Sequence, residues 1–170
     1  MKIKIVVVGI LNTNCYLLYN EKEAIVVDPG GDGEKIMKEL ESLNLSVKHI
    51  INTHSHLDHT AANSYLKRKT GADVLENLKE GDVVEMEEHT LKVLEVPGHT
   101  KDSICLMGDD FLIAGDVLFE DGYGRTDLPG GSGEEMKKTL ERLRKLVPGD
   151  FVIYPGHGDS FLMREWKKPH

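Results

Sequence analysis

The stretch THSHLDHT, residues 53–60, carries the strongest signal for the fold and chemistry of this chain. Four side chains of metal-binding type lie within six positions: His54, His56, Asp58 and His59. Imidazole nitrogens and carboxylate oxygens are donors that zinc and related first-row ions accept. The chain has eight histidines in 170 residues, so this density favours a metal site over a solvated polar loop.

The surroundings of this stretch indicate how its ligands are presented. Residues 47–52 contain enough apolar, β-branched side chains to predict a strand that ends near Thr53. His54 and His56 are two positions apart, so they point to the same side if the extended geometry continues. Asp58 and His59 are then expected in the turn before the next helix. Two ligand pairs presented in different directions suit two ions better than one.

Three further ligand-type residues are predicted at strand ends. His99 and His157 each follow a strand and a Pro-Gly turn, and Asp116 follows a strand and Gly115. Taken singly, each would be an ordinary turn residue. Strand ends that carry ligands can converge along one edge of a sheet, and seven ligands divide into three for each of two ions plus a bridge. We therefore predict joint metal ligation. The remaining histidines lack this context and are predicted to be unligated: His49, His89 and His170.

Composition narrows the class of protein. With 21 basic and 29 acidic residues the formal net charge is −8, which argues against a nucleic-acid partner. Cys15 and Cys105 lie in apolar runs and are expected to be buried free thiols. The apolar run at the N-terminus is too short for a membrane span and is not followed by a cleavage motif. We expect one cytoplasmic domain over residues 1–170, with no membrane partner.

The order of the elements predicts an α+β fold. Strands are predicted at 2–8, 14–19, 23–28, 47–52, 72–75, 82–86, 91–96, 103–107, 111–114 and 151–154. Asp32 is a candidate cap for the first helix, and Gly71 is expected to end the helix after the His-rich loop. A Gly-rich connection, 115–131, precedes a helix with a Ser132–Glu135 capping box. Strands, helix, strands and helix suggest two sheet-plus-helix halves with the helices outside.

Four motifs resemble the metal motifs of the metallo-β-lactamase-fold hydrolases: THSHLDHT, PGHT (97–100), AGDVLF (114–119) and PGHG (155–158). VDPG (27–30) resembles the opening acidic motif of that superfamily. GYGRTDLPGGS (122–132) is most similar to the short, single-domain glyoxalase II-like proteins and the related persulfide dioxygenases. The resemblance implies a four-layer αββα sandwich with mostly antiparallel mixed sheets and with the metals at one sheet edge.

The resemblance also implies roles for individual residues. One ion would be held by His54, His56 and His99, a second by Asp58, His59 and His157, and Asp116 would bridge them. Asp28 would hold a ligand in place. Arg125 and Asp127 would form an ion pair that fixes the long loop, or would contact substrate. Two divalent ions are predicted, with zinc favoured and iron or manganese as alternatives.

The implied function is hydrolysis of a thioester or a similar activated acyl substrate, as in hydroxyacylglutathione hydrolase, through a metal-bound hydroxide. Asp58 is the predicted catalytic residue, because it would hold the second ion and orient the nucleophile. Two alternatives stay open: a mononuclear iron persulfide dioxygenase and a non-catalytic metal-binding protein. The expected partner is a small-molecule thioester or thiol conjugate, and a homo-oligomer is left open.

Overall fold

The structure is a computed structural model that describes residues 1–167. The chain divides into two compact units. The first unit comprises residues 1–77 and 85–89, and the second comprises residues 78–84 and the chain from Thr90 onwards. The expectation of one domain over residues 1–170 stays a prediction, and His170, predicted to be unligated, lies outside the described residues.

The first unit contains a five-stranded mixed sheet. Its strands, in chain and spatial order, are β1 (Lys2–Val8), β2 (Thr13–Tyr19), β3 (Glu23–Val27), β4 (Ser46–Ile51) and β5 (Asp73–Leu75). The first three pair antiparallel, whereas β3, β4 and β5 pair parallel. Because parallel strands need crossover connections, helices lie between them: α1 (Gly33–Ser42), α2 (Leu57–Thr60) and α3 (Asn63–Thr70). These five strands confirm the predicted ones, with small shifts at their ends.

The core of this unit follows from its sequence periods. In β1 the buried Val6 and Val8 alternate with exposed neighbours, as expected for a strand with one covered face. In α1 the buried Ile36 and Leu40 are four residues apart and therefore lie on one helix face. They belong to one apolar cluster with Leu66 of α3 and the inner residues of the sheet. This packing holds the end of β4, and with it the loop that follows, against a closed core.

A second mixed sheet has six strands. Further along the chain lie β6 (Val83–Met86), β7 (His89–Glu95), β8 (Ile104–Met107), β9 (Phe111–Gly115), β10 (Leu118–Phe119), β11 (Gly122–Tyr123), α4 (Gly133–Leu146), β12 (Val152–Pro155), β13 (Phe161–Leu162) and a 3-10 helix (Met163–Glu165). The spatial order is β13-β12-β9-β8-β7-β6, with β9 and β12 parallel. α4 packs its buried residues against this sheet in one apolar cluster.

The structure corrects the sequence prediction at several short elements. The Gly-rich connection 115–131 contains two short strands, β10 and β11, which pair as a two-stranded ribbon. β13 and the 3-10 helix were also missed. Each of these elements has two or three residues, which is too few for a periodic pattern to develop.

The predicted helix ends have different outcomes, and Gly71 ends α3 as predicted. Ser132 caps α4, since its side chain accepts a hydrogen bond from the backbone N–H of Glu135. The other half of the predicted capping box is replaced, because the backbone N–H of Ser132 donates to the carbonyl oxygen of Gly98 over 2.8 Å. Asp32 occupies the N-cap position of α1, but its side chain makes no capping bond. Its Oδ2 atom instead accepts a hydrogen bond from the backbone N–H of Gly9, over 2.9 Å. The cap prediction for Asp32 was therefore wrong, because a distant donor competes for the same carboxylate.

Both cysteines are buried free thiols, as predicted. Burial raises the pKa of Cys15 and of Cys105, so neither thiol is available as a thiolate nucleophile near neutral pH. Among the described helices, none combines the length and apolarity that a membrane crossing requires.

Candidate metal-binding clusters

The first unit brings His54 and His56 together at the end of β4. Nε2 of His54 lies 3.0 Å from Nδ1 of His56, and the two rings meet edge to face. Two nitrogens that each lie 2.0–2.1 Å from one tetrahedral ion would be about 3.3 Å apart. The pair therefore presents two donor atoms at the spacing that a shared ion requires.

Asp58 and His59 form a second pair in the same unit. The predicted turn is in fact the short helix α2, which carries both residues. Oδ2 of Asp58 lies 3.5 Å from Nε2 of His59. The His54 and His59 ring centroids are 4.1 Å apart, so the two pairs are neighbours. One loop thus presents two adjacent donor pairs, as the grouping of its ligands in the sequence indicates.

Asp28 contacts the second pair through the ring of His59. Its side chain is fully buried, and its backbone has φ +53°, which is uncommon for a residue other than glycine. Oδ1 accepts a hydrogen bond from the backbone N–H of Thr53, and Oδ2 lies 2.9 Å from Nδ1 of His59. A carboxylate beside Nδ1 favours the tautomer with the hydrogen on that nitrogen, which would leave Nε2 as the ligand atom. The predicted supporting role of Asp28 towards a metal ligand stays a prediction, and its carboxylate lies beside His59 as that role requires.

Gly30, read from the sequence only as part of a turn, positions α2. A Cβ atom at Gly30 would overlap the backbone carbonyl oxygen of Asp58. Only a residue without a side chain allows the loop after β3 to approach Asp58 so closely. The VDPG motif therefore contributes a carboxylate and also a contact surface for the ligand helix.

The second unit holds the remaining three predicted ligands. Asp116 follows β9 and His157 follows β12, and because these strands are adjacent and parallel, both residues leave the same sheet edge. Oδ2 of Asp116 lies 3.6 Å from Nε2 of His157 and also 3.6 Å from Nε2 of His99. One carboxylate oxygen and two imidazole nitrogens therefore lie within reach of a shared ion, and the bridging role of Asp116 stays a prediction.

The long loop fixes the orientation of His99 through its backbone. Nδ1 of His99 lies 2.7 Å from the carbonyl oxygen of Arg125. Because a carbonyl accepts, Nδ1 carries the hydrogen and Nε2 faces Asp116 as the ligand atom. Gly124 permits this approach, since a Cβ there would overlap the carbonyl oxygen of Asp116. Sequence reasoning missed this role, because a backbone carbonyl has no side-chain signature.

Arg125 and Asp127 form the predicted ion pair. Nε and Nη2 of Arg125 donate to the two carboxylate oxygens of Asp127, each over 2.8 Å. The hydrogen bond from Arg125 lowers the pKa of the Asp127 carboxyl to about 2, and the pairing raises the pKa of Arg125. Both side chains are more than half exposed. Whether either one contacts substrate stays a prediction.

The predicted ligands form one cluster in each unit: His54, His56, Asp58 and His59 in the first, and His99, Asp116 and His157 in the second. The residues in both clusters fit a divalent metal. Their donors are imidazole nitrogens and carboxylate oxygens, which suit zinc, iron and manganese. The donor separations of 3.0, 3.5 and 3.6 Å are close to the edge of a tetrahedron around such an ion. For His99 the opposite ring nitrogen is held by a carbonyl oxygen, as is usual for metal-ligating histidines, and for His59 a carboxylate oxygen lies 2.9 Å from the opposite ring nitrogen.

Comparison with known proteins agrees with this description. A family model described as the metallo-beta-lactamase superfamily matches residues 8–81 and 71–157. The chain belongs to the metallo-β-lactamase superfamily. The predicted family and fold class are thereby confirmed.

Individual relatives cover nearly the whole chain. Hydroxyacylglutathione hydrolase GloC from Haemophilus influenzae is 31% identical over 205 aligned positions, which cover 99% of this chain and 96% of that protein. The crystal structure of the BLEG-1 B3 metallo-beta-lactamase has a TM-score of 0.90 at 27% identity, covering 96% of this chain and 95% of that one. ETHE1 from Myxococcus xanthus has a TM-score of 0.87 at 29% identity, covering 97% and 81%.

Proposed function

We propose that the protein hydrolyses a thioester or a similar activated acyl compound with the help of two divalent metal ions. The observation that carries the proposal is the position of Asp116 Oδ2 at 3.6 Å from both His99 and His157, since a carboxylate shared by two imidazoles suits a two-metal site. The likeness to a hydroxyacylglutathione hydrolase across 99% of the chain supports the substrate class.

The seven ligands are assigned to the ions as the family motifs imply. One ion would be held by His54, His56 and His99, the other by Asp58, His59 and His157, and Asp116 would be shared. The His54–His56 and Asp58–His59 pairs support this division, because each pair has its own close donor spacing. Zinc is favoured for this mixture of nitrogen and oxygen donors, and iron or manganese would also be accepted.

Two such ions, when bound, would lower the pKa of a water molecule and polarise the acyl carbonyl. The chain contributes position and proton handling. The Asp58 carboxylate, which lies 3.5 Å from the Thr13 hydroxyl and 3.5 Å from His59, can accept a hydrogen bond from the attacking water and so orient it. A thiolate leaves without needing a general acid.

A covalent acyl-enzyme route through cysteine is disfavoured. Cys15 and Cys105 are both fully buried, and burial raises the pKa of each thiol. Ser55 is exposed between two ligands, and the neighbouring histidines are assigned to the metals. The proposed chemistry therefore depends on activated water and not on a side-chain nucleophile.

Metal analysis combined with a substrate panel tests the proposal. Protein purified without added metal is analysed for zinc, iron and manganese, and is then assayed with glutathione and coenzyme A thioesters. We expect two metal ions per chain and thioester hydrolysis that is lost on chelation and restored by zinc. As a matched pair, Asp58→Asn should lose turnover, whereas Asp159→Asn, at an exposed position outside the clusters, should retain it.

Two other outcomes would replace the proposal with the alternatives. Metal-dependent oxygen uptake with glutathione persulfide, together with a single iron per chain, would indicate a persulfide dioxygenase. Full metal occupancy without turnover of any thioester or ester would indicate a non-catalytic metal-binding protein.

A further inference from the structure

The Thr53 hydroxyl contacts both the Asp28 carboxylate and the His54 ring. Its Oγ1 atom donates to Oδ2 of Asp28 over 2.7 Å and lies 3.1 Å from Nδ1 of His54. Thr53 is 1% exposed and Asp28 is 0% exposed, so bulk water does not compete for these bonds. A hydroxyl has one hydrogen. Because that hydrogen goes to Asp28, the Thr53 oxygen accepts from His54, and Nδ1 of His54 carries a hydrogen.

The same carboxylate oxygen also serves His59. Oδ2 of Asp28 lies 2.9 Å from Nδ1 of His59, so one oxygen supports two imidazoles, one directly and one through Thr53. Thr53 is itself held at two points, since its backbone N–H donates to Oδ1 of Asp28 over 2.7 Å. This double attachment keeps the hydroxyl in place between the carboxylate and the His54 ring.

We infer that Thr53 is a positioning residue that fixes His54 in the Nδ1–H tautomer, so that Asp28 orients one ligand of each proposed ion. In this tautomer the lone pair is on Nε2, which is the atom that faces His56. The inference rests on the proposed metal ligation and adds a division of roles to it. The His54 branch requires the Thr53 hydroxyl, whereas the His59 branch requires Asp28 alone.

Zinc titration of purified variants separates the two branches, with zinc alone as the probe. Thr53→Val should weaken one of the two zinc sites by about 10- to 100-fold and leave the other within about threefold. Thr53→Ser keeps a hydroxyl and should restore both affinities. Asp28→Asn should weaken both sites. Thr70→Val is the matched control, because the Thr70 hydroxyl donates to the backbone of Leu66 and accepts from that of Ala72 at the end of α3, outside the ligand stretch 53–60, and both affinities should stay unchanged.

Nitrogen-15 spectra of the histidine rings in the metal-free protein provide a readout that does not depend on activity. We expect a protonated Nδ1 on His54 in the wild type and in Thr53→Ser, and a loss of this tautomer preference in Thr53→Val. An unprotonated Nδ1 on His54 in the wild-type protein would overturn the inference, even if Thr53→Val fails to fold.

The two measurements distinguish failure of the inference from failure of the proposed function. Equal zinc affinities in wild type and folded Thr53→Val would overturn the positioning role while leaving the hydrolase proposal intact. A wild-type protein that shows the Nδ1–H tautomer on His54 but binds no zinc would overturn the proposed function and retain the tautomer assignment.

Discussion

Asp116 contacts two other predicted ligands through one carboxylate oxygen. One of its carboxylate oxygens is 3.6 Å from the ring nitrogens of both His99 and His157, and its side chain is only 12% exposed. A largely buried carboxylate is costly unless positive charge or hydrogen bonds compensate it. The two metal ions proposed above would supply such charge at this point.

Asp116→Asn should reduce both bound metal and activity. The amide keeps the shape of the side chain but removes the negative charge, and a direct ligand should cost more than the 10- to 100-fold typical of supporting residues. Elemental analysis and thioester hydrolysis measure the two effects. Asp121→Asn, at an exposed aspartate paired with Lys167, is the control and should change neither. Full metal content in Asp116→Asn would contradict the bridging role.

The Arg125–Asp127 pair predicts a pH dependence. Pairing lowers the pKa of the Asp127 carboxyl from its ordinary 3.8 to about 2. Because the folded-state pKa is depressed, the contribution of the pair is present above pH 3.8 and is lost as the pH falls through about 2. Carbon-13 titration should show a midpoint near 2 in the wild type and a higher midpoint, closer to 3.8, in Arg125→Gln, where the backbone hydrogen bond to Asp127 still lowers the pKa. Identical midpoints for Asp127 in the two proteins would refute the pairing. Glu134, which is paired with Lys138, is the control and should have the same midpoint in both proteins.

The short helix α2 is held in place by its contact with Gly30, because a helix of its length is not stable by itself. It has four residues, which is far below the length at which an isolated helix is stable. Gly30 packs directly on the backbone of Asp58. The loop after β3 therefore holds the ligand helix in place.

Gly30→Ala should displace α2 and weaken metal binding in a protein that stays folded. The added methyl group would overlap the carbonyl oxygen of Asp58, and the backbone must move to relieve the overlap. Zinc affinity and circular dichroism measure the two properties. Gly133→Ala is the matched control, since a Cβ there makes only an ordinary 3.6 Å contact with the Thr126 side chain. Unchanged zinc affinity in Gly30→Ala would show that α2 tolerates the shift.

The Ser132 cap at the start of α4 is expected to contribute to the free energy of unfolding independently of the metals. Ser132 accepts a hydrogen bond from the backbone N–H of Glu135 over 3.2 Å. Ser132→Ala should lower the free energy of unfolding by about 1 kcal/mol, and Ser132→Asp should restore it. Urea denaturation measures this difference. Equal midpoints for wild type and Ser132→Ala would indicate that the cap is not needed.

For the whole molecule, the metals are expected to add stability to a chain that folds without them. Each unit has its own apolar cluster of buried residues, and a chain of 170 residues can bury a sufficient core without disulfides or metals. This separates the protein from small zinc modules that unfold when the metal is removed.

Chelation should lower the melting temperature and leave the secondary structure intact at 25 °C. A ligand at 100 times its Kd adds about 2.7 kcal/mol, which corresponds to about 5–10 °C per ion for a chain of this size. Thermal melts monitored by circular dichroism, with and without EDTA, measure the shift, and added zinc should reverse it. Loss of the circular dichroism signal at 25 °C on chelation would show that folding itself requires the metal.

The sequence by itself determined the strands, the principal helices and the identity of the ligand-type residues. Alternating burial in β1 and the four-residue spacing in α1 are properties of contiguous segments, so the hydrophobic period is sufficient to reveal them. The ligand-type residues at 53–60 and at strand ends could be identified from their side-chain types and spacing. The pairing of short strands such as β10 and β11 could not be predicted from the sequence.

Only the tertiary structure decided how the ligands are oriented. The sequence did not indicate which ligand Asp28 contacts, that Thr53 connects Asp28 to His54, or that the Arg125 carbonyl holds His99. Asp28 lies far from Thr53 and His59 in the chain, and the contact from Arg125 uses a backbone atom that every residue has. The choice of ring nitrogen depends on which acceptor approaches it, and that approach exists only once the sheets and loops have folded.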